Sequence, residues 1–250
     1  MKIGIIGLGL IGGSIFKDLV KLGYDVIAVS NSQNGENIYK DYDVLKNCDI
    51  VFVCSAMNKT LSILDKLEEI LDAKTIVTDV CSLKKFVCNK KRPYKFIPSH
   101  PMAGTEHKGF ENSFEGLFKN AKWVITPVYG SDEKLVKIIN DLGAKIVEAT
   151  PEKHDEAVAL ISHMPMVIAQ AIFKTASENP LALEIASSGF RDMTRLAMSN
   201  TEMANDMVMM NSDNIQTSIL KLYKSIGDLT NSDYLKQINE IKLNRQSMFL

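Results

Sequence analysis

An apolar run, Lys2–Ile6, leads straight into Gly7, Gly9 and Gly12, and the chain then continues with apolar residues at helical spacing as far as Gly23. This arrangement leaves few options. The GxGxxG spacing closes a strand and opens a helix, the context in which a backbone turn can receive a dinucleotide pyrophosphate. Gly7 permits the tight turn, Gly9 lets the pyrophosphate approach the backbone, and Gly12 allows the helix to pack closely on the sheet. Leu10 and Ile11 open the helix, whose N-terminus attracts the phosphates. A dinucleotide site is therefore expected around Gly7, Gly9, Leu10, Ile11 and Gly12.

The rest of the first 150 residues extends that pattern. The runs "DVIAVS", "CDIVFVCS", "TIVTDV", "KFIPS", "KWVITP" and "KIVEAT" read as strands, and "KTLSILDKLEEIL" and "DEKLVKIINDLG" as helices. Alternation of this kind builds a doubly wound, mostly parallel sheet of the Rossmann type. The stretch from Asn31 to Lys46 is short and leaves little room for a full crossover helix. After Thr150 the alternation stops. Pro151 stands at a helix's first position behind Thr150 as a cap, and only apolar residues at three- and four-residue intervals follow. Two domains are expected: a dinucleotide-binding one over residues 1–150 and an all-helical one over 151–250.

Several function classes are unsupported. A net charge of −1, with basic residues spread along the chain, gives no footprint for nucleic acid. Cys48, Cys54, Cys81 and Cys88 form no CxxC pair and have no histidine at zinc-finger spacing, so they read as buried thiols and no metal is expected. The charged continuation "KDLVKLGYD" argues against a signal peptide, and no later apolar run reaches the ~18 residues of a membrane span. A cytoplasmic protein is expected.

Within the first domain the carboxyl ends of the strands should line the ligand crevice. The second strand ends at Ser30, followed by Asn31 and Ser32, where an NAD site usually carries an acidic residue for the ribose 2′-hydroxyl. Without that carboxylate a 2′-phosphate meets no repulsion. No arginine is adjacent, so the choice between NADP and NAD leans only slightly to NADP. Ser55, closing "CDIVFVCS", joins the expected cofactor-binding residues. Ser82 in "TDVCSLKK" reads equally as a crevice residue and as the N-cap of a helix "SLKKFV".

His100, just after "KFIPS", reads as a residue of that same edge; an imidazole suits removal of a hydroxyl proton near neutral pH. Arg191 and Arg195 are four apart on an expected helical face, either solvated or gripping a carboxylate. His154 and His163 should fall on opposite faces of a straight helix, so at most one should face the crevice unless Pro165 bends it. The methionines in "MSNTEMANDMVMM" read as core or interface packing.

Taken together, "GLGLIGGS", "TDVCSLKK", "SHPMAGTEHKGFENSFEGLFKNAKWVITP", "HDEAVALISHMP" and "SSGFRDMTRLA" closely resemble, in order, the motifs of prephenate and arogenate dehydrogenases of tyrosine biosynthesis. The resemblance implies NAD(P)-dependent oxidative decarboxylation, of prephenate to 4-hydroxyphenylpyruvate or of arogenate to tyrosine. It implies that His100 accepts the substrate's hydroxyl proton and that Ser82 orients His100 beside the nicotinamide. Arg195 would anchor the side-chain carboxylate, with Arg191 beside it, His163 at the substrate pocket and Glu106 as its gate. Met166 stands where many prephenate-specific members have a second histidine, and Ala204 where the family has a tryptophan. Another Rossmann dehydrogenase, acting on a β-hydroxy acid, is the runner-up; a non-catalytic dinucleotide sensor would lack Ser82, His100 or Arg195.

The helical segment also predicts assembly. About 100 residues bury a low fraction of their surface, and apolar stripes remain in "SILKLYKSI" and "DYLKQINEIKL". A homodimer built mainly from residues after Pro151 is expected, as the resemblance also implies.

Overall fold

The computed structural model describes residues 1–105, 107–231 and 233–248. The first six strands are β1 (Lys2–Ile6), β2 (Asp25–Val29), β3 (Ile38–Tyr39), β4 (Ile50–Val53), β5 (Ile76–Asp79) and β6 (Lys95–Phe96). They pair in parallel in the order β3-β2-β1-β4-β5-β6. β1 sits between β2 and β4, so the strand order reverses beside β1, and ligands of such sheets bind at the carboxyl ends there. Gly7 and Ser55 both lie at that edge.

The strands are apolar on both sides because both sheet faces are covered. Ile3, Ile5, Val26, Ala28, Ile50 and Phe52 pack in the core with Ile15 and Leu19 of α1 (Leu10–Lys21) and Leu135 and Ile138 of α3 (Glu133–Asp141). Their alternates Ile6, Ile27, Val29, Val51 and Val53 pack opposite, with Leu64 and Leu67 of α2 (Met57–Leu67). As the short Asn31–Lys46 stretch predicts, no α-helix crosses there; β3 and a 3₁₀ turn at Tyr42–Asn47 make the connection.

A second sheet was not expected. β7 (Ser99–Met102), β8 (Lys122–Ile125) and β9 (Lys145–Glu148) form a three-stranded sheet in that order, β7 antiparallel and β9 parallel to β8. The "SHPM" run is therefore itself a strand, not a loop after one. Pro101 conceals it in the sequence, yet β7 is an edge strand, where a residue without an N–H is tolerated.

From Pro151 onward the described residues hold only helices and their connections. Thr150 caps the first, its hydroxyl accepting the Lys153 N–H at 3.3 Å. α4 (Pro151–Val158) runs through a π turn at Ala159–His163 into α5 (Met164–Ala176). α6 (Pro180–Glu184), α7 (Ser188–Thr194), α8 (Thr201–Met210), α9 (Ser212–Thr230) and α10 (Tyr234–Met248) follow. A third cluster joins the two halves: Met57, Cys81 and Leu83 meet Val158, Met166, Ala204 and Met207. The methionine stripe divides, Met207 buried and Met209 71% exposed. Contrary to the reading of apolar runs, the continuous helix Pro151–Ala176 is long and apolar enough to cross a membrane by length and composition. It carries buried His154, Asp155 and His163 against the rest of the fold, and its apolarity lies partly in exposed Leu160, Ile161 and Phe173.

Candidate active site

The glycine turn has the shape the spacing predicts. Gly7 adopts φ +89°, and a Cβ there would lie 2.6 Å from the Cys54 carbonyl oxygen. A Cβ on Gly12 would lie 2.0 Å from the Gly7 oxygen, so helix and strand approach as only glycine allows. At Gly9 a Cβ would meet nothing within 4 Å, and no side chain caps the N-terminus of α1 or places an acid in its first turn. An open face above uncapped amides fits a pyrophosphate. Leu10 and Ile11 form that first turn, and Ser55 stands across the crevice, its hydroxyl 2.9 Å from that of Thr60.

At the end of β2, Ser30 is buried and its Oγ accepts the Gln33 N–H at 3.2 Å, so it braces the loop from within; Asn31 and Ser32 are the exposed members. The loop also holds a cation that sequence proximity did not reveal. Lys40 Nζ donates to the carbonyls of Ser30, Asn31 and Gln33 at 2.9, 3.2 and 2.8 Å.

β5 and β7 position the histidine. Ser99 Oγ donates to the Asp79 carbonyl at 2.8 Å and accepts from Trp123 Nε1 at 2.9 Å. Asp79 and Lys84, both fully buried, form an ion pair; Lys84 Nζ also donates to the Ser99 carbonyl at 2.6 Å. Asp79 accepts further from the Cys81 and Ser99 N–H groups at 3.0 and 3.3 Å. Side chains alternate along β7, so with Ser99 and Pro101 buried, half-buried His100 and Met102 turn the other way. His100 Nδ1 lies 3.0 Å from His154 Nε2, and His154 Nδ1 lies 2.7 Å from Asp155 Oδ1. Burial, His154, the Lys84 ammonium and His163 hold the His100 pKa well below the ordinary 6.5, so the imidazole is a neutral base at neutral pH.

Ser82 is half-buried beyond β5, and residues 84–90 form turns instead of the helix it would cap. Among the described residues its hydroxyl has no hydrogen-bond partner, and His154 holds the Nδ1 of His100 instead.

The straight-helix expectation for His154 and His163 fails at the π turn, where the Met164 N–H reaches back to the Ala159 carbonyl. The turn takes up one extra residue and cuts their angular separation from about 180° to roughly 80°. Both are buried. Asn211 Nδ2 donates to the Asp155 carbonyl at 3.0 Å and to His163 Nδ1 at 3.2 Å, while its Oδ1 accepts from Asn214. Burial pushes the His163 pKa down to about 4 against the opposing pull of Asp155.

Arg191 and Arg195 do not share one α-helical face: α7 ends at Thr194 and Arg195 opens a 3₁₀ turn packed on α5. Both are exposed, Arg191 with Asp192 at 3.8 Å. Met166 and Ala204 lie together in the buried third cluster, so the two departures from the family pattern occupy one packing unit. Glu106 lies outside the described residues. Among the described residues no three His, Cys, Asp or Glu side chains gather as a metal site.

Residues 26–148 match the model of the prephenate dehydrogenase nucleotide-binding domain, and residues 150–242 that of the prephenate dehydrogenase dimerization domain. The crystal structure of an arogenate dehydrogenase from Synechocystis is 33% identical, with 99% of this chain and 97% of that one covered at a TM-score of 0.81. The chain belongs to the prephenate and arogenate dehydrogenase family. A second member of known structure, the Aquifex aeolicus prephenate dehydrogenase in complex with hydroxyphenyl propionate and NAD+, is 26% identical over 99% of this chain and 98% of that one, with a TM-score of 0.85. A Bacillus subtilis prephenate dehydrogenase is 33% identical over 84% of this chain, which spans 64% of that relative's length, less than two thirds. Of the residues that the sequence ties to this family, the geometry brings His100 against the helical segment and gathers Gly7, Gly9 and Gly12 at the sheet's switch point. It also adds Asp155 and Lys84, which the sequence does not single out, and brings in His154 together with His163, where the sequence allows at most one of the two.

Proposed function

We propose that the chain catalyses NAD(P)-dependent oxidative decarboxylation of prephenate to 4-hydroxyphenylpyruvate in tyrosine biosynthesis. The observation that carries this reading is His100, a neutral imidazole in a family-matched motif, held through Nδ1 by the helical segment, with Nε2 left for substrate. The nicotinamide, when bound, supplies the hydride acceptor; Gly7, Gly9, Leu10, Ile11, Gly12 and Ser55 would hold the dinucleotide. His100 Nε2 takes the ring hydroxyl proton as the carbinol carbon becomes a carbonyl. Loss of the ring carboxylate as carbon dioxide returns its bonding pair to the ring, which becomes aromatic, and His100 returns the proton to the phenolic oxygen. Ser82, whose hydroxyl has no partner among the described residues, is suited to hold the same substrate oxygen. His163, whose Nδ1 accepts from Asn211, presents Nε2–H as a donor on that side. The test is formation of reduced nicotinamide with prephenate and with arogenate, each with NAD and with NADP. Prephenate turnover is expected; turnover of neither compound overturns the reading.

Arogenate is the second reading. Met166 in place of a second histidine favours it, as does the Synechocystis relative covered almost end to end.

Arg195 is assigned the carboxylate kept in the product. Among the described residues no carboxylate pairs with its exposed guanidinium. Loss of a charge-assisted anchor costs about 1.5–3 kcal/mol, so Arg195→Ala should raise KM at least about tenfold. An unchanged KM would place the anchor elsewhere.

The cofactor reading leans to NADP. Lys40 sets a positive charge in the loop where the ribose 2′ position falls, and Ser30, Asn31 and Ser32 bring no negative charge there. Lys40→Met should weaken NADP binding about tenfold while leaving NAD within about twofold, measured as dissociation constants. Equal losses for both would show that Lys40 only braces the loop.

For assembly we propose a homodimer through the helical segment. Ile161, Ile185, Leu220 and Tyr223 are each at least 67% exposed, an apolar surface unusual on a monomer. A second copy would cover it, including the outer face of the Pro151–Ala176 helix. Light scattering should give about twice the 27.8 kDa chain mass. A stable monomer at micromolar concentration would contradict this.

A further inference from the structure

We infer that His154 and Asp155 are positioning residues that lock His100 in its Nδ1–H tautomer and so make Nε2 its only basic nitrogen. The inference follows from hydrogen-bond directions. Asp155 Oδ1 accepts the Lys84 N–H at 2.8 Å and Oδ2 accepts the Lys85 N–H at 3.0 Å. Both carboxylate oxygens are thus engaged as acceptors, and the hydrogen in the 2.7 Å contact with His154 belongs to His154 Nδ1. A neutral imidazole with Nδ1–H has its lone pair on Nε2. That lone pair, 3.0 Å from His100 Nδ1, accepts the hydrogen that His100 then carries there. His100 Nε2 is left unprotonated.

The supporting side of the arrangement is buried and hydrogen-bonded. His154 and Asp155 are 3% and 4% exposed, and the His154 N–H is bonded to the Thr150 carbonyl within the first turn of α4. Asp155 ties that turn to the backbone that follows Ser82, so the two halves of the molecule meet through the histidine pair. Among the described residues, the charged and titratable groups around His100 are Lys84 from the turn after β5, and His154, Asp155 and His163 from the long helix. Lys84, with its charge matched by Asp79, opposes an imidazolium at His100. When Nε2 takes a proton, the Nδ1 hydrogen can pass to His154 Nε2. The positive charge then rests on His154 against the Asp155 carboxylate, and His100 stays neutral. One proton enters at Nε2 and one leaves from Nδ1, so the relay balances.

The role of His100 as base rests on the proposed function; its tautomer does not. Nitrogen-15 NMR of the histidine rings in the full chain reads the tautomer directly, with His100→Asn supplying the assignment. At pH 7.5 His100 should show a protonated Nδ1 and an unprotonated Nε2. His154→Gln, whose amide oxygen can still accept from Nδ1–H, should keep that tautomer yet lower kcat, because an amide cannot take the proton. His154→Leu should lose the tautomer and at least about tenfold in kcat, with KM little changed. A wild-type His100 protonated at Nε2 would overturn the inference whatever the enzyme's activity. Wild-type kcat in His154→Leu would overturn it as well. Full activity in His100→Asn would instead strike at the proposed function and leave the tautomer assignment standing.

Discussion

His100→Asn should lower kcat by about 10²–10⁴-fold while leaving dinucleotide affinity unchanged. Asparagine nearly matches the imidazole in size and can donate to His154 in place of Nδ1–H, but it has no basic nitrogen. The variant therefore separates proton transfer from packing. The pH profile of the unaltered chain is part of the same expectation. His100 must be neutral to accept a proton, and its pKa is held well below 6.5 by burial first and then by His154, Lys84 and His163. Protonation removes the base, so kcat/KM should stay level as pH falls through 6.5 and drop only at lower pH. A drop centred at or above the ordinary histidine value would show that the base is solvated, in conflict with its surroundings.

Lys84→Met should strongly destabilise the fold. It leaves the Asp79 carboxylate fully buried with only the Cys81 and Ser99 N–H groups to hold it. Breaking one half of a buried ion pair costs about 3–5 kcal/mol, on the order of 10 °C in Tm for a chain of this size. The comparison that isolates the cause is Asp79→Asn with Lys84→Met, which removes both charges and should recover much of the loss. Equal destabilisation by the single and double variants would mean that the lysine stem, not its charge, matters.

These two sites show what the sequence makes legible and where it stops. The glycine spacing, the alternation of apolar runs and the change of character at Pro151 are local signals, set by backbone sterics and by the side-chain periods of strand and helix. They place Gly7, Gly9, Gly12 and the parallel strands without any tertiary information. His100 was legible as a candidate base from its motif, although its strand was not, because Pro101 speaks against a strand except at an edge. His154 was hidden for a different reason. A period of 3.6 residues sets it opposite His163, and only the π turn at Ala159–His163 brings both inward. Asp155 and Lys84 meet across 71 residues of sequence. The remaining local hint was Asp79 itself, a carboxylate closing a strand of apolar residues, which calls for a buried partner. Lys40 is not legible beside Ser30 because it stands ten residues on in the sequence, and only the folded loop brings its ammonium back to the Ser30 carbonyl.

In the proposed reaction a proton taken at His100 accompanies oxidation and loss of the ring carboxylate in one active site. The most direct test measures carbon dioxide and reduced nicotinamide released together from prephenate by the purified chain. Equal amounts of the two, with both released about 10²–10⁴-fold more slowly in His100→Asn, are the predicted result. Reduced nicotinamide without carbon dioxide, or both products at undiminished rate in His100→Asn, would contradict it.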